Sequence, residues 1–296
     1  MQQKSFGEKI IMLAAGIVGL VAVFFLGKWI SRQIYHGPDT ETEVQTESDG
    51  ALEAAQAALT EEELEELFRT LKKTAMPSVQ SEEAGKDPAE AADADPDQTA
   101  GFQSEVDFEY LWTVNKDIIA WITIPGTNID YPILQHPSDD SYYLNHNIDG
   151  SYGYPGCIYT ESLNSAEFTD PNTVIYGHNL KAKTMFTELH KFESRDFFDE
   201  NDEIIIYLPD RTLYYRIFAV HVYDDRHLLY SFDFSDEDIY AEFLQSIYDI
   251  RDVNANIDRD FTVTSQDRII TLSTCMPNKA DAEKRLLVHA VLVEGL

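Results

Sequence analysis

The sequence predicts a mainly β domain, a closed barrel with helices in its connections, preceded by a membrane-spanning helix and an acidic stalk. Three observations support this prediction. From residue 102 onward, short runs rich in Ile, Val, Thr and Tyr alternate with turn residues, as in β structure. A stretch of 18 uncharged residues lies near the N-terminus. Between the two lies an acidic segment poor in aromatic residues.

The N-terminal apolar run extends from residue 10 to residue 27 and is long enough to cross a bilayer once as a helix. Two lysines precede it, and Trp29 with basic neighbours follows it, which suits a membrane interface. We predict a cytoplasmic N-terminus over residues 1–9 and a transmembrane anchor over 10–30. The competing interpretation is a cleaved signal peptide, whose apolar region would be shorter and would end in a small-x-small site.

Residues 31–101 form the predicted acidic stalk or linker. Residues 37–101 hold 18 acidic residues against four basic ones, with no aromatic residue before Phe68. Apolar residues at roughly helical spacing, with a capping box from Thr60 to Glu63, predict a helix near 51–75. We expect this helix to be a solvated part of the stalk rather than a partner-binding helix.

The folded domain is predicted over residues 102–296, with eight strands and four helical segments. The strands are predicted at Ile118–Ile124, Asp130–Leu134, Cys157–Thr160, Thr173–Tyr176, Glu203–Leu208, Thr212–Tyr223, Arg268–Thr274 and Arg285–Val293. The helical segments are predicted at Ser104–Asn115, Asp139–Leu144, Lys183–Lys191 and Ser235–Ile250. Ser235, followed by three acidic residues, is the expected start of the last helix.

Charge and motif content exclude several classes of function. With 22 Lys and Arg against 53 Asp and Glu, the net charge is −31, which excludes a general nucleic-acid binder. Two cysteines cannot make a disulfide scaffold, although one bridge is possible. The chain has no CxxC or HExxH spacing and no GxGxxG or Walker pattern, so we expect no metal or nucleotide site.

Cys275 is the candidate nucleophile. It ends the strand pattern RIITLSTC, in which Ile269, Thr271 and Ser273 share its face. A cysteine attacks only as the thiolate, which needs a partly exposed site beside a positive or proton-accepting group. The end of a strand, before the connection at Met276–Lys284, is such a position. The alternative is that Cys275 is a small buried hydrophobe, the usual state of a free cysteine.

Arg285 and His178 are the predicted partners of this cysteine. Arg285 opens the next strand, so an antiparallel return brings a fixed cation beside the sulfur, with planar donors for a developing oxyanion. His178 follows the buried-looking strand NTVIYG, at the same end-of-strand location as Cys275. His289, by contrast, is expected to pack within its strand.

These residues carry a resemblance to class B sortases. The motif ITLSTC (Ile270–Cys275), Arg285 ten residues later in KRLLVHAVLV, and VIYGHN (Val174–Asn179) are similar to that class. The stretches LWTVNKDIIAWITIPGTNIDYPILQ, SYYLNHN and TMFTELHKF also resemble it, so that the resemblance covers nearly all of residues 105–294. Three motifs in this order and strand context make a specific signal.

The resemblance implies a fold and a set of roles. It implies an eight-stranded sortase-like barrel with an N-terminal helix and inserted helices, and a cysteine transpeptidase on the outer face of a Gram-positive cell. Cys275 would be the nucleophile, His178 would transfer protons, and Arg285 would stabilise the substrate and the oxyanion. The enzyme would be a single-pass protein of the cell membrane with an extracellular catalytic domain.

The resemblance also implies partners. The substrates would be surface proteins with a C-terminal sorting signal, in class B often Asn-Pro-x-Thr followed by Asn or Gly. The signal would be cleaved after its Thr and the acyl group passed to an amine of a peptidoglycan cross-bridge or a pilin lysine. No cofactor is expected, because a thioester intermediate retains the reactivity of the acyl group.

Three residues are expected to bind the substrate, and the chain departs from the class at two positions. Asp140 and Leu144 would line the groove as in relatives, and Ser273, on the Cys275 face, is a candidate groove contact. Asp140 stands where the class usually has Asn, which we expect to alter the accepted signal. Met276 follows the nucleophile where a polar or acidic residue is common.

Two alternative functions remain at this point. A hydrolytic cysteine peptidase would use the same Cys and His pair, and a membrane-tethered binding module would carry Cys275 as a core residue. We expect Cys157 to pack in a strand rather than to form a disulfide with Cys275, since that bridge would remove the nucleophile.

Overall fold

The computed structural model describes residues 60–76 and 104–295, and these residues form a barrel with helices on its outside. The strands are β1 (Ile118–Thr123), β2 (Asp130–Leu134), β3 (Ile158–Thr160), β4 (Asn172–Tyr176), β5 (Glu203–Tyr207), β6 (Thr212–Asp224), β7 (Asn256–Ile257), β8 (Ile269–Cys275) and β9 (Lys284–Gly295). The helices are α1 (Glu61–Ala75), α2 (Phe108–Val114), α3 (Arg195–Glu200), α4 (Leu228–Ser231) and α5 (Glu237–Tyr248). Short 3-10 helices lie at Tyr142–Leu144, Phe186–Glu193 and Lys279–Asp281.

All eight predicted strands are present, within two residues of their expected ends, and they close into the predicted barrel. Their order is β5-β1-β2-β3-β4-β8-β9-β6, and the pairing of β6 with β5 closes the circle. The long β6 makes this possible, because its first half pairs with β5 while nearly its whole length pairs with β9. The two-residue β7, which pairs with β6, was not predicted.

The barrel has two apolar cores. The interior is filled by alternate residues of the strands, among them the fully buried Ile122, Ile206 and Leu272. The second core lies where α5 covers the outer face of β4, β8, β9 and β6, and it contains Phe243 of the helix and Ile269 and Leu287 of the sheet. The outer face of β8 beyond that helix carries Ser273 and Cys275, so the helix leaves the Cys275 end of the sheet uncovered.

The helix predicted near 51–75 is present as α1 over Glu61–Ala75, with residues 51–59 outside the described residues, and it is not solvated as expected. The Thr60 side chain accepts from the backbone of Glu63 and the Glu63 carboxylate accepts from Thr60, which is the predicted capping box. Leu64, Phe68 and Leu71 lie on one face of the helix and are buried in the main core. Helix residues that are three or four positions apart lie on the same face, so these residues form an apolar stripe. The predicted start of the folded domain at residue 102 therefore leaves out a helix that packs on the barrel.

Other helical segments differ in detail from the prediction. The segment predicted at Lys183–Lys191 begins only at Phe186 and is a 3-10 helix, because Lys183 and Met185 have positive φ angles, which a right-handed helix excludes. The segment at Asp139–Leu144 forms a single 3-10 turn. The last helix is capped by Asp236 rather than by Ser235.

The predicted transmembrane anchor at residues 10–30 and most of the predicted stalk lie outside the described residues. Within the described residues, no helix combines the length and the apolar character needed to cross a membrane.

Candidate active site

Two neighbouring parallel strands deliver the candidate nucleophile and the candidate acid-base group to one end of the sheet. In the β4–β8 ladder Tyr176 lies opposite Ser273, and Gly177 continues it by donating to the Ser273 carbonyl over 3.1 Å. His178 and Cys275 each lie two residues beyond that pair, in the same direction. The sequence therefore fixes their common location through strand register, as predicted.

Close packing holds the turn that carries His178. A Cβ atom at Gly177 would lie 2.5 Å from Cδ2 of Phe186, a distance that real Cβ atoms do not adopt. Glycine at this position lets the buried Phe186 ring approach the backbone directly before His178. The turn is thereby packed against the first residue of the 3-10 helix.

Cys275 is a free and exposed thiol at the end of an otherwise buried strand. The interpretation of this residue as a buried hydrophobe is therefore wrong. Cys157 is the opposite case: it is free but fully buried, and burial raises the pKa of its thiol far above the ordinary value. The two sulfurs are not bridged, and only the exposed one is accessible to a substrate.

His178 is half-buried and held by its Nε2 atom, which lies 3.0 Å from the Leu144 carbonyl oxygen. A carbonyl can only accept, so Nε2 carries a proton and Nδ1 is the free acceptor of the neutral ring. Burial lowers the pKa of His178, against an opposing effect of the Leu144 hydrogen bond. The Tyr154 ring lies 5.2 Å from the imidazole ring and covers it from one side.

Arg285 lies directly opposite Cys275 in the antiparallel β8–β9 ladder, as the sequence predicted. Its Nη1 atom donates to the carbonyls of Ala282 and Lys284, each over 2.9 Å. Among the described residues, no hydrogen bond reaches its Nε or Nη2 atom, so these donors are available to a substrate oxygen. The arginine is thus anchored at one nitrogen beside the thiol.

The three residues predicted to bind the substrate have different environments. Ser273 is buried two residues before Cys275, and Leu144 is exposed while its carbonyl holds His178. Asp140 accepts from both the backbone and the hydroxyl of Ser162, each over 2.7 Å, and so anchors the loop after β3.

Two stacked tyrosines lie on the Ser273 face of the sheet, with ring centroids of Tyr159 and Tyr176 5.4 Å apart and Tyr176 opposite Ser273. Burial raises the pKa of both phenols, and the negative charges of Glu161 and Asp140 raise it further. Arg285 acts in the opposite direction on Tyr159. The phenols therefore stay protonated, and this part of the sheet combines neutral tyrosines with the nearby carboxylates of Glu161 and Asp140.

Sequence reasoning missed a second group of polar side chains next to Cys275. The Cys275 carbonyl lies 2.9 Å from Asn179 Nδ2 and 3.1 Å from His190 Nε2, and Glu193 binds the other ring nitrogen of His190. Asn179 follows His178 directly, which was a usable signal. His190 gave none, because its contact spans 85 residues and depends on the 3-10 helix.

This arrangement provides the parts needed for acyl transfer. An exposed thiol can attack a carbonyl carbon, a histidine with one free nitrogen can move a proton, and a fixed guanidinium can hold an oxyanion. Among the described residues, no group of three or more His, Cys, Asp and Glu side chains is placed to hold a metal ion.

Comparison with known proteins identifies a family model and curated relatives that match this domain. The family model for the sortase domain matches residues 122–293. Sortase B of Listeria monocytogenes is 36% identical over 184 residues, which make up 62% of this chain and 72% of the relative.

Solved structures give the same result. A Bacillus anthracis protein described as similar to sortase B has a TM-score of 0.61 and 28% identity, covering 80% of this chain and 98% of its own. A Staphylococcus aureus sortase B–substrate complex has a TM-score of 0.55 and 29% identity, covering 63% of this chain and 84% of its own.

Proposed function

This chain belongs to the sortase family of cysteine transpeptidases, and on that premise we propose that Cys275, His178 and Arg285 form its active site. One observation carries the proposal: strand register brings an exposed thiol, a histidine and an arginine to the same end of three neighbouring strands. Exposure of Cys275 argues against the alternative of an inert binding module, which required a core thiol.

The first half of the reaction follows from these groups. The Cys275 thiolate attacks the carbonyl carbon of the substrate Thr, and the free donors of Arg285 hold the negative oxygen that forms. The C–N bond then breaks, and the leaving amine takes a proton from the imidazolium of His178. A thioester on Cys275 and a neutral His178 remain.

The second half reverses the proton transfer. An acceptor amine attacks the thioester carbonyl and gives its proton to His178, and the Cys275 thiolate leaves. An amide bond replaces the original one, with no net oxidation or hydrolysis. The low pKa that burial gives His178 favours its neutral form, which is the form that takes a proton from the acceptor amine.

The proposed substrates are surface proteins with a C-terminal sorting signal of the Asn-Pro-x-Thr type followed by Asn or Gly, and the proposed acceptor is a peptidoglycan cross-bridge amine or a pilin lysine. The match to a sortase B–substrate complex supports a peptide in the groove. Leu144, Ser273 and Asp140 would contact that peptide. The apolar run at residues 10–30 would anchor the enzyme to the cell membrane, with the barrel outside.

A transfer assay tests the proposal. The full chain is incubated with a fluorogenic Asn-Pro-x-Thr-Asn or Asn-Pro-x-Thr-Gly peptide, with and without triglycine, and the products are identified by mass. We expect an amine-linked product that is lost in Cys275→Ala and falls about 100-fold or more in His178→Ala and Arg285→Ala. Cys157→Ala, which removes the buried thiol, is the matched control and keeps the activity.

Each alternative gives a different result. Cleavage without any amine-linked product at saturating triglycine would indicate a hydrolytic peptidase. Wild-type rates in both His178→Ala and Arg285→Ala would show that the active-site assignment is wrong.

A further inference from the structure

The carbonyl oxygen of Cys275 is held by a polar network that the proposed chemistry does not use. Asn179 Nδ2 lies 2.9 Å from this oxygen and His190 Nε2 lies 3.1 Å from it. Asn179 Nδ2 is also 3.1 Å from His190 Nε2, and the Glu193 carboxylate is 2.7 Å from His190 Nδ1. Four groups from three separate segments thus meet at the backbone of the candidate nucleophile.

The network continues the sheet beyond its last backbone contact. The Gly177 amide donates to the Ser273 carbonyl, and the next carbonyl on that side of β8 belongs to Cys275. There the Asn179 side chain donates in place of a backbone amide. The peptide after the nucleophile, where β8 ends, is therefore fixed by side chains alone.

Proton counting gives this network two states. Glu193 accepts, so His190 Nδ1 carries a proton in both. In the neutral ring Nε2 has only a lone pair, which accepts from Asn179, and Asn179 alone holds the Cys275 carbonyl. In the imidazolium Nε2 carries a proton and no lone pair, so it no longer accepts from Asn179 and instead donates a second, charge-assisted hydrogen bond to the carbonyl.

We propose that His190, oriented by Glu193, is a positioning residue that fixes the Cys275 backbone and, when protonated, places a cation beside the nucleophile. The inference rests on the proposed function of Cys275. A nucleophile that is held within a fraction of an ångström of its reactive geometry reacts much faster than one that is displaced. A nearby cation also favours the thiolate form of a cysteine.

The elements that pack against the 3-10 helix carry charged groups that are paired elsewhere or belong to the site. Arg285 lies across the ladder from Cys275 on β9. The helix α3, which follows the 3-10 helix, carries Arg195, which pairs with Asp199. On β6, Arg216 pairs with Asp202 and Asp258. Glu193 is thus the carboxylate that contacts His190 directly.

The test combines transfer kinetics with alkylation of Cys275 by iodoacetamide in the absence of substrate, on the full chain. His190→Phe removes the contacts of Nε2 in both protonation states and is expected to lower kcat and the alkylation rate about tenfold, with KM within twofold. His190→Gln keeps a neutral donor, so it should recover most of this loss at pH 8 and less of it at pH 5.5. Glu193→Gln should also lower kcat and the alkylation rate, as His190→Phe does.

The matched control is Lys191→Gln, which removes a cation from the same 3-10 helix, where Lys191 pairs with Glu188 instead of reaching Cys275. We expect it to leave both rates unchanged. The ratio of wild-type to His190→Gln rates should be larger at pH 5.5 than at pH 8, because only the imidazole can add a charge to its hydrogen bond.

Two results would overturn the proposal. In one, the His190 variants keep wild-type kcat and alkylation rates while Cys275→Ala is inactive, which leaves the proposed function intact. In the other, the rates fall equally at every pH and the Tm falls with them, as a structural role requires. Transfer activity retained in Cys275→Ala would instead refute the proposed function itself.

Discussion

Acid should destabilise this protein through two buried histidines that touch each other. His289 of β9 is fully buried, and its Nε2 atom lies 3.0 Å from His221 Nε2 of β6. Its Nδ1 atom lies 2.9 Å from the Thr271 hydroxyl, and His221 Nδ1 lies 3.2 Å from the Val222 carbonyl. Two neutral rings can share this contact as one donor and one acceptor, whereas two charged rings would turn two N–H groups toward each other.

The direction in which pH changes the stability follows from the pKa shifts of the two histidines. Burial lowers the pKa of His221, and burial together with His221 lowers the pKa of His289 well below 6.5. The unfolded chain therefore binds more protons than the folded one below about pH 6.5, and stability falls with the pH. At pH 5 the loss is about 2 kcal/mol for each histidine that remains neutral in the folded state.

The assay is urea unfolding of the wild type at several pH values between 7.5 and 5, with the free energy of unfolding extrapolated to water. His136→Gln, which removes a partly exposed histidine, is the control and should keep the wild-type pH dependence. His221→Gln should make the free energy of unfolding less dependent on pH. Where that variant is too unstable, the imidazole resonances of the wild type provide the measurement. A His289 signal that titrates with a midpoint near 6.5 would refute the reasoning.

Three further predictions concern packing and the groove. Phe68→Ala should lower the free energy of unfolding by about 3 kcal/mol or more, because the ring is buried in the main core, whereas Glu66→Ala on the exposed face should change it by less than about 0.5 kcal/mol. Gly177→Ala should cost about 1–3 kcal/mol, since its Cβ would overlap the Phe186 ring, and should lower transfer activity; an unchanged Tm would contradict this. Asp140→Asn should shift the order of preference in a panel of sorting peptides while leaving the Tm within about 2 °C, and an unchanged order would remove Asp140 from the groove.

The sequence predicted the barrel well because the strands carry their own signal. Runs such as Asp130–Leu134 and Glu203–Tyr207 are short, β-branched or aromatic, and bounded by turns, and their bounds agree with the structure within a residue. The strand β7 has only two residues, too few to show any periodicity. The position of Cys275, His178 and Arg285 at one end of the sheet followed from strand ends alone.

Features that depend on distant parts of the chain could not be predicted in this way. The apolar stripe of α1 was visible, but the sequence does not say what covers it, and the structure shows that β2 and α2 do. Likewise, His190 meets Cys275 only because Lys183 and Met185 adopt positive φ angles and start the 3-10 helix late. Neither backbone conformation has a signature in residue type.

The register of β4 against β8 also determines when the site comes into existence. Asn179 and Cys275, which touch across the strand ends, are separated by 96 residues. Contacts between such distant residues are slow to form, because the entropy of a long closed loop is lost before they contribute. A chain in which β4 has not paired with β8 therefore carries a thiol without its histidine. The reactive centre is complete only when this long-range pairing is present, so transfer activity reports that β4 and β8 have paired.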